Sequence, residues 1–137
     1  MHGIPNLLRA IYEGVAFCHR YHIDRLLQFR EMPAAVRIAG GAARSDVWMQ
    51  IFADVLGVTV EVPEAKELGA KGAAMAAGVG IGLFADFRDA GSRFARVDRV
   101  FTPSEENHRY YEKKYALYRK LIDARDPLWD ELDSLSR

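Results

Sequence analysis

Between Ala35 and Gly57 the chain reads Ala-Val-Arg-Ile-Ala-Gly-Gly-Ala-Ala-Arg-Ser-Asp-Val-Trp-Met-Gln-Ile-Phe-Ala-Asp-Val-Leu-Gly, an order that restricts what it can fold into. Val36 to Ala39 is predicted as a short strand, with Val36 and Ile38 on one face, leading through Gly40-Gly41 into a helix from Asp46 to Leu56. The first N–H groups of such a helix have no intrahelical acceptor and can face an anion, which is nucleotide-handling architecture. A glycine pair is also the default wherever the backbone takes positive φ, and a plain tight turn is its commoner use. Val47, Ile51 and Val55 form one stripe of the helix with Trp48, Phe52 and Leu56 beside it, so a broad face is expected to be buried. Ser45 is the expected N-cap, and Asp46 suits the positive helix end. That carboxylate would repel a phosphate on the helix axis, unless Arg44 compensates or the ligand lies over the glycine turn.

Gly57 is placed to close the helix, and Val58 to Val62 alternates valine with Thr59 and Glu61 as a second strand. Strand, helix and strand make a βαβ unit, expected to be parallel and right-handed, so the fold class is α/β. Leu68 to Val79 is predicted as a helix of small residues, including Gly69, Ala70, Gly72, Ala73 and Ala74. These either let a neighbour approach closely, which is the reading adopted, or leave room for a flat ligand group. Glu64 and Glu67 are assigned to that helix's dipole. A short helix is expected around Asp86 to Gly91 and an edge strand over Val97 to Phe101. Thr102-Pro103-Ser104-Glu105 signals a further helix start, with Thr102 as cap, Pro103 in the first position and Glu105 completing a capping box. That helix carries Tyr111, Tyr115, Tyr118 and Ile122 on one face and is expected to end at Asp126-Pro127. Upstream, Pro5 to Phe29 reads as a long amphipathic helix buried along Leu8, Ile11, Val15, Cys18, His22, Leu26 and Phe29, with Gly14 marking close approach of another element.

With 137 residues, half of them apolar, the chain can bury one core and is read as one domain or a piece of one. Lysine plus arginine equals aspartate plus glutamate at 19 each, so the overall charge gives no attraction to nucleic acid or to an acidic membrane surface. The single Cys18 excludes an intramolecular disulfide and is expected to be a buried thiol in a reducing cytosol. His19 and His22 share a helix face at a spacing that can hold a metal, but no third ligand accompanies them at a recognisable spacing, and no metal site is assigned. No apolar run is long enough to span a membrane, and Met1 to Pro5 lacks a signal-peptide pattern, so a soluble, cytoplasmic protein is expected. The Walker, Rossmann, His-Glu-x-x-His and Gly-x-Ser-x-Gly patterns are absent, and spacing nominates no general base.

Four stretches taken in order carry a resemblance: Arg9 to Phe17, Gly40 to Gly57, Val60 to Pro63, and Glu67 to Ala74. Together with the tyrosine-rich last helix they resemble the C-terminal domain of FGGY-type carbohydrate kinases, and within that family the xylulokinase and L-xylulose kinase branch. The resemblance implies the C-terminal lobe of the actin-like ATPase (ribonuclease-H-like) fold, incomplete at its N-terminal side, with residues 1–137 as a single partial domain. It implies ATP-dependent phosphorylation of a sugar or polyol, such as the ketopentose xylulose. The nucleotide would lie against this lobe, and the sugar would be bound only with the N-terminal lobe. By the same resemblance Gly40 and Gly41 lie along the nucleotide phosphates with Ala42 beside them, Ser45 is near the base or ribose, and Arg44 is a weaker candidate. Gly69 and Gly72 look like the family's Gly-Ala-x-Gly-Ala helix, with a close-packing role. The general base, the sugar contacts and the front phosphate hairpin belong to the family's N-terminal domain and are not in this chain. The chain alone is therefore expected to be inactive, with no catalytic residue of its own and Mg2+ held together with the other lobe. A split-subunit partner would supply the other lobe, and a homo-oligomer is the other expected partner, since a truncated domain exposes apolar surface. The alternative is a non-catalytic interaction module that kept the fold and docks a partner on its Tyr111 face.

Overall fold

The computed structural model describes residues 3–64, 67–94 and 96–135; Met1 and His2, which entered the reading of the amino terminus, lie outside them. The order is α1 (Ile4–Leu26), β1 (Ala35–Arg37), a 3-10 turn (Gly41–Arg44), α2 (Asp46–Leu56), β2 (Thr59–Pro63), α3 (Leu68–Gly80), α4 (Phe87–Phe94), β3 (Val97–Phe101), α5 (Glu105–Arg125) and α6 (Pro127–Leu135). Two compact units are present. One comprises the chain up to Met32, Asp54–Gly57 and the chain from Pro103 onward; the other comprises Pro33–Ala53 and Val58–Thr102.

The second unit is built on a sheet of order β1-β2-β3. β1 and β2 are parallel, with Val36 opposite Val60, as a strand-helix-strand sequence requires. β3 returns antiparallel along β2, Glu61 facing Val100, with an irregularity at Val62 and Pro63. Alternation along β2 is the predicted one: Val60 and Val62 are buried, and Glu61 turns outward to pair with Arg37 at 2.7 Å. In α2 the predicted stripe is too narrow. Met49, Ile51, Phe52, Ala53, Val55 and Leu56 are all buried, whereas Val47 is exposed. The helix is buried from Ile51 to Leu56 and exposed at Asp46 and Val47, and the buried run is apolar apart from Asp54.

The small residues of α3 do not serve the close packing expected of them. A Cβ added to Gly69 or Gly72 would meet no described heavy atom within 4 Å, and Ala70, Ala73, Ala74, Ala76 and Ala77 are exposed. The close approach is at Gly78, where a Cβ would lie 2.4 Å from the Phe84 ring. The chain reverses through Gly82, so that the N–H groups of Leu83 and Phe84 both donate to the Gly78 carbonyl, at 2.8 and 3.3 Å. Phe84 then meets Phe94 of α4 edge-on at 5.6 Å.

In the other unit Phe17 of α1 packs against Tyr111, Tyr115 and Tyr118 of α5, with ring centroids 5.5–6.0 Å apart. Tyr111 is 1% exposed and Tyr115 4%, so the aromatic stripe is core and the Tyr111 face is not available to dock a partner. The buried side of α1 is not the predicted one. Glu13, Ala16 and Phe17 are buried, while Leu8, Ile11, Val15, Leu26 and Phe29 are exposed, as is Cys18. Aromatic packing on Phe17 and the polar contacts of Glu13 orient the helix, and they outweigh its aliphatic period. No described atom lies within 4 Å of a Cβ placed on Gly14, and the helix ends at Leu26, leaving Phe29 in the turn beyond.

Gly57 closes α2 at φ 69°, in the left-handed region, with the His108 ring where a side chain would be. α5 starts two residues later than its sequence signal. Ser104 caps it, its Oγ accepting from Asn107 N–H at 3.4 Å, while the Thr102 carbonyl accepts from the Gln50 amide at 2.9 Å. α5 ends at Arg125 with Asp126 as its C-cap, as the Asp126-Pro127 signal requires, and Pro127 then opens α6, in the position where its missing N–H costs nothing. No described helix is long and apolar enough to cross a membrane.

Candidate functional site

β1 is short, and its direction is prolonged by Ile38, whose N–H donates to the Glu61 carbonyl at 2.9 Å. The chain then turns at Gly40, with φ 92° and ψ −161°, a conformation essentially confined to glycine. Ala43 N–H donates back to the Gly40 carbonyl at 3.2 Å and Ser45 N–H to the Ala42 carbonyl at 3.1 Å, closing the 3-10 turn. Ser45 Oγ accepts from Trp48 N–H at 3.3 Å and so caps α2, as expected.

This turn forms one wall of an open cleft of about 1060 Å³, which lies within a single unit. Ala39, Gly40, Gly41, Ala43 and Arg44 line it on the turn side; Val62 and Pro63 of β2, Glu64, the start of α3 from Glu67 to Gly69, and Asp98 and Arg99 of β3 line the rest. A Cβ on Gly40, Gly41 or Gly69 would meet no described atom within 4 Å, so backbone is bare to the cleft on two sides. Of the residues expected at a nucleotide, Gly40, Gly41 and Arg44 are brought to the cleft. Ala42 is half-buried away from the lining, and Ser45 is engaged in the helix cap.

Sequence reasoning missed Arg99. Its Nη1 donates to Asp46 Oδ1, its Nη2 to the Ala43 carbonyl at 2.6 Å, and its Nε to Asp98 Oδ2 at 3.4 Å. The cation compensating Asp46 is thus on β3, and Arg44 is left exposed on the cleft wall. An arginine between Asp98 and Val100 on an edge strand reads as a solvated side chain, and its partner lies 53 residues away, beyond any spacing rule. Glu67 occupies the N-cap position of α3 without a side-chain capping bond. No group of three or more His, Cys, Asp or Glu side chains able to hold a metal occurs among the described residues, and His22 Nδ1 lies 2.7 Å from the Cys18 carbonyl.

Carboxylates elsewhere have structural partners. Asp54, 3% exposed, accepts from Ser104 N–H at 2.8 Å and from the Asn107 amide at 3.0 Å, fastening α5's first turn. Glu13 accepts from Lys114 Nζ at 2.6 Å and from Arg9 Nε and the Tyr111 hydroxyl at 3.0 Å each. Burial pushes its carboxyl up, and the hydrogen bonds from Lys114, Tyr111 and Arg9 outweigh that, holding it below the usual carboxylate range. Both are saturated acceptors within helix contacts, which is no arrangement for a general base.

The sequence profile described as the FGGY family of carbohydrate kinases, C-terminal domain, matches residues 1–81. The L-xylulose/3-keto-L-gulonate kinase of Escherichia coli K12 is 42% identical over 90% of this chain, and the match covers 25% of that protein. A ligand-bound xylulose kinase from Lactobacillus acidophilus superposes with a TM-score of 0.87 and 26% identity, over 96% of this chain and 27% of that one. Plasmodium falciparum glycerol kinase, solved with ADP, gives a TM-score of 0.73 and 27% identity over 87% of this chain and 24% of its own. The chain therefore spans about a quarter of the length of these relatives. Its mixed helix and sheet structure is part of the actin-like ATPase fold of the sugar kinases. A glycine turn between a parallel strand and a capped helix, facing an open cleft, sits within a profile match over most of the chain: this protein belongs to the FGGY family of carbohydrate kinases.

Proposed function

We propose that residues 1–137 act as a single partial domain, the nucleotide-side lobe of a kinase that transfers the γ-phosphoryl group of ATP to a sugar or polyol hydroxyl, with a ketopentose such as xylulose as acceptor. The observation that carries this reading is the open space over Gly40 and Gly41, which side chains at either position would fill. The known ADP complex of a fold relative, Plasmodium falciparum glycerol kinase, supports a nucleotide as the occupant. In this reading Gly40 and Gly41 let polyphosphate approach the backbone, Arg44 offers a cation from the cleft wall, and Ala42 and Ser45 hold the shape of the turn. Mg2+ enters with the nucleotide and is held together with the lobe that carries the sugar. Phosphoryl transfer requires both substrates to be positioned together. The base that accepts the sugar hydroxyl proton is assigned to that other lobe, so the chain by itself is inactive. The working compartment is the cytoplasm, and the partner is the complementary lobe, in cis or as a split subunit.

Calorimetric titration with Mg-ATP and Mg-ADP tests the reading. Binding is expected, and Gly41→Val should weaken it by about tenfold, equivalent to roughly 1.4 kcal/mol. A chain that binds neither nucleotide, even with an N-terminal kinase lobe supplied, rules the proposal out. A kinase assay over ketopentoses and polyols should give turnover only when both lobes are present; turnover by this chain alone would overturn the placement of the base.

A further inference from the structure

A carboxylate at the first residue of α2 stands next to a turn proposed to receive an anion, and unpaired it would oppose binding. Asp46 is 68% exposed on its side chain and stands at the helix start that follows the turn. The geometry points to Arg99 as a positioning residue for phosphate binding: it neutralises Asp46 and anchors the turn through the Ala43 carbonyl, with one guanidinium serving both tasks. This rests on the reading of the Gly40–Gly41 cleft as the nucleotide site.

Arg99 projects from β3, and its planar fork lets Nη1 reach Asp46 while Nη2 reaches Ala43 at 2.6 Å. Nε faces Asp98. With each nitrogen so engaged, the side chain acts through the turn and through the field at the helix start, rather than by grasping a ligand itself. The Ala43 carbonyl lies in the 3-10 turn that begins at Gly41, so a bond there bears on the position of the glycine backbone. Lysine could meet Asp46 but could not reproduce the fork, because its single nitrogen cannot span two acceptors in the same fixed geometry.

The test is the dissociation constant for Mg-ATP of the full chain and of Arg99→Gln, Arg99→Lys, Asp46→Asn and Arg99→Gln/Asp46→Asn, with helical circular dichroism recorded for each. Arg99→Gln should weaken binding about tenfold or more, since it leaves an uncompensated carboxylate and a freed turn. Asp46→Asn alone should bind as tightly as the parent chain or more tightly, and the double variant should regain a substantial part of the loss. That regain separates electrostatics from folding, because removing an acid from a helix start weakens the helix. Arg99→Lys should fall between parent and Arg99→Gln, and it serves in place of Arg99→Gln, with and without Asp46→Asn, if the glutamine variant loses its helical signal. Parent-like affinity in a folded Arg99→Gln, or no regain on adding Asp46→Asn, overturns the assignment while leaving the nucleotide site intact. Absence of binding in the parent chain removes the nucleotide reading itself and this inference with it.

Discussion

Glu13 is a buried acid of α1 held by Lys114, Arg9 and the Tyr111 hydroxyl, and its worth depends on protonation. Its carboxyl is held below the usual range in the folded state, so its contribution is complete above the ordinary carboxylate pKa and is lost as pH falls through the lowered folded value. Thermal stability should therefore drop on acidification, and Glu13→Gln should lower the melting temperature near neutral pH while flattening that acid limb. The loss near pH 7 should be about 1–3 kcal/mol, toward the low end because Lys114 and Arg9 are partly exposed. Melting curves followed between pH 3 and pH 7 measure both effects; an unchanged acid limb in the variant would contradict the assignment. Single residues were unevenly legible. Gly57 at the end of α2 and Ser45 at its start could be read in advance, since each meets a local backbone requirement. Glu13 and Arg99 could not, because Lys114 and Tyr111 reach Glu13 from α5, and Asp46 and Ala43 meet Arg99 from α2 and the turn before it.

At the scale of elements, periodicity located the helices and strands well and the faces of the helices poorly. α1 shows why: its aliphatic residues recur at helical spacing, yet the side that packs is the one bearing Phe17, whose ring meets three tyrosines. Period reports that a helix is amphipathic; which neighbour it meets is decided by residues elsewhere in the chain. The start of α5 moved from Thr102 to Ser104 for a similar reason, since Asp54 takes the Ser104 N–H and so helps to set where the helix begins. Asp54→Ala should destabilise the protein by about 2 kcal/mol by leaving that partly buried N–H without its acceptor, and Asp54→Asn, which keeps one acceptor oxygen, should lose less. Chemical denaturation of the two variants gives the comparison, and equal losses would argue against the N–H bond as the cause.

Across the whole molecule, fold class and family were legible because four stretches kept their order, and the parallel pairing of β1 with β2 follows from that order. The cleft was legible in part: the glycine turn was visible, while its opposite wall, from β3 and the start of α3, came only with the tertiary structure. On α1, Leu8 is 53% and Ile11 55% exposed. Exposed apolar patches favour association and dye binding. Leu8→Lys/Ile11→Lys should reduce the fluorescence of a hydrophobic dye and any concentration-dependent light scattering, with little change in melting temperature. A large fall in melting temperature would mean that the face is covered after all. The bond from Arg99 to Ala43 joins residues 56 positions apart, and it has a meaning for biosynthesis. Chains are made from the amino terminus, so the glycine loop leaves the ribosome well before the arginine that fastens it. A nascent chain stalled short of Arg99 holds every glycine of the site and the local bonds of the turn, but not the long-range anchor at Ala43, and full competence to bind should arrive as a late event in translation.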